Sequence, residues 1–154
     1  MLQILNTLHS YNRWIMLALM ITALIFAWRG RFSSNRDSQI KLQTKLNLFT
    51  LIFTDLQLTL GLLLYAFFSP VTAQGFSNMK MAMKDPVIRF YTVEHIFTGI
   101  LVVVFVHLAK ILFKKKSDTL KKFNSAAISL SIAFLFLLVT IPWPWRAAGR
   151  ALFP

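Results

Sequence analysis

Six ionisable side chains stand inside runs of residues otherwise suited to lipid. "HSYNRW" near the N-terminus holds His9 and Arg13, "FTDLQ" holds Asp55, and "YTVEHIFTGILVVVFVHLAK" holds Glu94, His95 and His107. A charged group at membrane depth costs about 2.5–3.5 kcal/mol even on insertion scales, so such residues mark a pathway, a relay or a ligand site by default. The chain has no cysteine. That removes disulfides, covalently attached c-type haem and thiolate-held iron–sulfur clusters, and leaves histidine, methionine or carboxylate to hold any metal.

These residues must be positioned by membrane helices. The 154 residues are 56% hydrophobic and 14% charged, and the apolar residues come in blocks, which leaves too little polar surface for a soluble globule. Crossing a hydrocarbon core takes roughly 20 helical residues. Four blocks are long enough, at Leu8–Trp28, Leu46–Phe68, Val87–Phe113 and Ala126–Pro142. The expected fold is therefore all-α: one transmembrane domain over residues 1–154, an integral membrane four-helix bundle with little chain outside it. The first span lacks the basic start and small-residue cleavage site of a secretory signal and is expected to stay. Basic residues cluster after the first span, from Arg29 to Lys45, and after the third, from Lys110 to Lys122. The positive-inside bias then places both termini on the periplasmic side of a bacterial cytoplasmic (inner) membrane, crossed several times. The formal charge of +12 is accounted for by these flanks, with no nucleic acid as partner.

Depth selects which polar residues can meet. The first and third spans run the same way. Counted from their cytoplasmic ends at 1.5 Å per residue, His9 lies about 28 Å and His95 about 25 Å away, at nearly one level. Two histidines facing each other across parallel helices suit the axial positions of one b-type haem. Gly99, one turn from His95, would let a flat macrocycle approach, and Arg13, one turn from His9, would pair with Glu94 or a haem propionate. His107 is some 120° around the helix from His95, so a second stacked haem is not expected. It is closer in level to Asp55, offset by about 7 Å, and together they would form an acid–imidazole pair, as half of a proton path or as a self-satisfying polar contact. The fourth span, with only Ser125, Ser129, Ser131 and Thr140 as polar residues, reads as scaffold bounded by Trp143 and Trp145. In the loop "SNMKMAMKDP", Met79, Met81 and Met83 alternate. Thioethers select Cu(I), which makes copper the alternative metal, against an interfacial stub as the plainer reading.

Taken together, "HSYNRW", "FTDLQLTLGLLLY", "RFYTVEHIFTGILVVVFVHLAK" and "IPWPWRA" resemble a family of small four-helix membrane proteins from Bacteroidota described as cytochrome b-like. The resemblance covers nearly the whole chain. It implies an inner-membrane bundle with b-type haem, and matches His9 in "HSYNRW" and His95 in "VEHIF" to the ligands; it supplies no substrate. The function expected is electron relay, to or from quinone or a periplasmic partner, by a subunit or homo-oligomer among other membrane subunits and lipid. Whether such a chain is an enzyme is left open, with no catalysis expected of it on its own and any that occurs expected to be redox. A cofactor-free structural or assembly subunit and a copper-handling protein are the alternatives.

Overall fold

The computed structural model describes residues 1–151, which are helical or connecting, with no strand among them. Four stretches are long and apolar enough to cross a membrane: Leu2–Phe32, Asp37–Phe68, Pro86–Lys115 and Thr119–Thr140. This bears out the expectation of a multi-pass, all-helical membrane chain. The helices are α1 (Leu2–Phe32), α2 (Ile40–Leu63), the short α3 (Pro70–Ser77), α4 (Met79–Ala82) and α5 (Pro86–Arg89), then α6 (His95–Lys115) and α7 (Thr119–Thr140). Two π-helical segments, Leu64–Phe68 and Phe90–Glu94, continue α2 and lead into α6.

Local chemistry sets the boundaries. The Asp118 side chain accepts the Lys121 N–H at 2.7 Å and starts α7, as an N-cap should. Pro142 and Pro144 end it, since neither can donate to the carbonyl one turn back. The Asp85 carboxylate caps α5 through the Val87 and Ile88 N–H groups, with Pro86 in the first helical position.

The four spans pack as a ring, α1 on α2 and α7, and α6 on α7 and α2, so α1 and α6 face each other diagonally. Each presents an inward seam at alternating three- and four-residue steps, the spacing of a left-handed bundle. On α1 it runs through His9, Arg13, Met16, Met20, Ala23, Ala27 and Gly30, and on α6 through His95, Gly99, Val102, Val106, Ala109 and Phe113. The lower parts of these seams, with Phe123, Ala126, Leu130, Ala133 and Leu137 of α7, form the apolar core. A β-carbon on Gly30 would run into the Phe123 ring, so a glycine there lets that fully buried ring sit against α1. The α2 seam differs. Its buried residues are Gln43, Asn47, Thr50 and Thr54, all polar.

Candidate functional site

The seams that carry His9 and His95 open at the end of the bundle where the described termini and the α2–α3 connection lie. There a cavity of about 590 Å³ is lined by residues of all four spans, among them His9, Arg13, Gln57, Gly61, His95, Gly99, Thr140 and Arg150. The two imidazoles face each other across the diagonal with ring centres 6.2 Å apart and planes at 61°. The match in level expected from counting residues is thus matched by proximity.

What holds His95 follows from how α7 ends. The last carbonyls of a helix have no intrahelical partner, and here each is satisfied in turn. Leu137 O accepts the Ile141 N–H at 3.1 Å. Leu138 O, opposite the missing N–H of Pro142, accepts the Trp143 indole N–H at 2.8 Å. Val139 O accepts from the Arg146 guanidinium at 2.6 Å. Thr140 O, opposite the missing N–H of Pro144, accepts from His95 Nδ1 at 2.9 Å. A carbonyl can only accept, so the His95 proton in that bond is on Nδ1, and a neutral ring keeps its lone pair on Nε2. The Thr140 hydroxyl also donates to Thr98 at 2.8 Å. The fourth span is therefore more than scaffold: its proline-freed carbonyl fixes the orientation of His95. The prolines were visible in the sequence, but which side chain would answer them was not.

His9 is held from α2. Asn12 Nδ2 donates to Phe53 O at 3.0 Å and to Gln57 Oε1 at 2.7 Å, and Gln57 Nε2 meets His9 Nε2 at 3.1 Å. Because Gln57 Oε1 is already accepting, its amide nitrogen is the donor to His9, and the neutral ring carries its proton on Nδ1. That Nδ1 is buried without a hydrogen-bond partner. Gly61, one turn beyond Gln57, leaves the ring its space: a β-carbon there would stand 3.2 Å from His9 Cε1.

Gly99 faces open space. A β-carbon added to it meets nothing within 4 Å, although it lines the cavity. The cations of the mouth are Arg13, which is buried, and Arg150, whose guanidinium lies 4.7 Å from the centre of the Tyr91 ring. Arg146 stacks likewise on Phe90 at 5.0 Å. Both aromatic residues belong to the second π-helical segment. The first is tied to it by Tyr65, whose hydroxyl donates to Thr92 O at 2.7 Å. π-Helical turns gather at functional sites, and this pair flanks the cavity.

Three further sets of residues lie away from the cavity. Glu94 is held by Arg89 at 2.6 Å and does not line the cavity, so it is not placed to clamp a ligand with Arg13. Tyr91 of the same segment lines the cavity, while Glu94 is engaged by Arg89. His107 and Asp55 do meet, at 3.6 Å, but each side chain is about two-fifths exposed on the outer α2–α6 face. They do not line the cavity and form no path into it. Met79, Met81 and Met83 are all exposed and line no site with the histidines. Among the described residues no group of three or more His, Cys, Asp or Glu side chains converges as a metal cage.

Gln57, Gly61, Thr140 and Arg150 went unassigned from the sequence. For Gln57 and Gly61 a signal was available, since both continue the three–four spacing of polar and small residues that starts at Gln43. Comparison with protein-family models, with curated proteins and with solved structures finds no match to this chain.

Proposed function

We propose that the cavity holds one b-type haem, with His9 and His95 as axial ligands, and that the chain serves as an electron-relaying membrane subunit. The facing imidazoles carry this reading. Their ring centres lie 6.2 Å apart at a cavity that both rings line, so the two imidazoles would be the residues to hold one bound metal. Two ligands are too few for a structural zinc ion, which takes about four. A metal held by this pair has to bring most of its own ligands, as a haem does.

The residues fit such a group. His95 keeps Nε2 as its lone-pair nitrogen while Nδ1 is anchored on Thr140 O, the outer-shell arrangement that orients ligating histidines. His9 would offer Nε2 once the Gln57 amide gives up its bond, while Gln57 keeps the bond it accepts from Asn12. Gly99 leaves room for a flat face, and Arg13 and Arg150 supply cations for carboxylates at the mouth. When bound, the group would supply one-electron chemistry. The chain's own residues bind it, orient it and set the polarity around it.

Quinone or a protein on the terminal side is the electron partner we favour, because the cavity opens there. The basic connections at the other end orient that terminal side toward the periplasm of a bacterial inner membrane. The test is an optical spectrum of detergent-purified protein from haem-replete cells, oxidised and dithionite-reduced, with His9→Ala and His95→Ala. Sharp low-spin bands in the wild type, lost in both variants, are expected. A featureless wild-type spectrum would sink the reading, and metal analysis would then separate copper handling from a cofactor-free structural subunit.

A further inference from the structure

The α2 seam is polar from end to end. Gln43, Asn47, Thr50, Thr54 and Gln57 succeed one another at four- and three-residue steps, and the first four are at most 2% exposed. From Gln43 to Gln57 is about 21 Å of helical rise, most of the depth of a membrane. The outward faces of α2 carry Leu42, Leu48, Phe49, Ile52 and Leu56, so the helix is inverted relative to one in water.

Bonds cover only part of this seam. Gln43 Nε2 donates to Ala23 O at 3.2 Å and to Asn47 Oδ1 at 2.8 Å; Thr54 donates to Thr50 O at 2.7 Å, and Thr50 reaches Leu19 O at 3.4 Å. Polar residues that serve only to join membrane helices would end their hydrogen bonds on one another. Here Gln43 Oε1, Asn47 Nδ2, Asn12 Oδ1 and His9 Nδ1 are buried without partners. Three more such atoms, Arg36 Nε, Gln39 Oε1 and Asn124 Oδ1, lie at the basic end. Unsatisfied buried groups are rare, and a buried polar row with both donors and acceptors open is what ordered water occupies.

We infer that the α1–α2 seam carries a file of water from the basic end of the bundle to His9, and that protons move along it to the cavity. The amide and hydroxyl groups hold the water while the water carries the proton, taken up from solvent at one end and released into the cavity at the other. The cavity continues to the terminal end, where Leu2, Asn6 and Arg150 line it, so file and cavity together cross the bundle. The inference stands on the seam and does not depend on a haem. The route differs from the Asp55–His107 pair, which lies on the outer face.

The absence of cysteine gives a clean test in proteoliposomes. Asn47→Cys and Thr50→Cys are compared with Leu130→Cys, a fully buried apolar position of α7, by exposure to Ag⁺ in nitrate buffer. Thiols left free are then counted by alkylation after denaturation. Seam thiols are expected to be blocked at least tenfold faster than the Leu130→Cys thiol; equal rates would overturn the water file. In the same vesicles, an entrapped pH dye under a potassium diffusion potential should report wild-type proton flux above that of empty vesicles, and a fall of fivefold or more in Asn47→Leu. Wild-type flux equal to that of empty vesicles, which needs no variant to fold, would overturn proton conduction.

Discussion

At the scale of single residues, the glycines distinguish space that packing needs from space a ligand needs. Gly30 and Gly99 both lie on inward seams, at opposite ends of the bundle, and a β-carbon on Gly30 collides with Phe123 whereas one on Gly99 meets nothing. Gly30→Ala is therefore an overpacking change that should cost about 1–3 kcal/mol in detergent unfolding. Gly99→Leu should leave the ligand-free protein as stable as the wild type, or more so by up to ~1 kcal/mol from helix propensity, while haem titration shows affinity lost by tenfold or more. A Gly99→Leu protein that binds haem normally would mean that the macrocycle does not lie against α6. The level of His9 and His95 was legible because helical rise converts residue counts into depth. Their facing each other was not, because rotation about a helix axis is set by packing partners. The 6.2 Å separation resolves that rotation.

At the scale of elements, hydropathy found the four spans and misread the insides of two. It ranks residues by cost in lipid, so it placed the second span from Leu46 and passed over Gln43, Asn47 and Thr50, whose signal is spacing and not hydropathy. It treated α7 as scaffold because its chemistry resides in a backbone carbonyl, which no side-chain inventory displays. The two π-helical segments were illegible for a related reason: each is one residue of slack in a helical register, created by what it packs against. Their link is testable. Tyr65→Phe removes the hydroxyl that donates to Thr92 O and keeps the ring against Phe76, centred 5.5 Å away. Interhelical hydrogen bonds in membranes are worth about 0.6 kcal/mol on average and up to ~1.7, so the global loss should be in that range. The larger effect should be local, as faster amide exchange in residues 64–68 and 90–94 than in the body of α6. Uniform acceleration along α6 would show that the two segments are not separately tied.

At the scale of the whole molecule, the chain keeps its polar groups in three places with different partners. The cavity and the α2 seam face inward, the basic clusters face water beyond the spans, and Asp55 with His107 faces outward midway along the helices. The outward pair is self-contained. His107 Nδ1 bonds to Val103 O at 3.0 Å, and Nε2 faces the Asp55 carboxyl at 3.6 Å, so each group has the other in a surrounding that supplies little else. Removing one partner strands the other, whereas removing both leaves an ordinary apolar helix face. His107→Leu should therefore destabilise the bundle by about 1 kcal/mol, the low end of the cost of leaving a polar group unsatisfied, since Asp55 is two-fifths exposed on the outer face. Asp55→Leu with His107→Leu should recover to within ~0.5 kcal/mol of the wild type or exceed it, with any bound haem unaffected because neither residue lines the cavity. Reversible unfolding of the two single variants and the double variant in mixed micelles measures the coupling. A double variant no more stable than His107→Leu would show that the outer face meets something other than lipid, and that the pair serves that contact as well as itself.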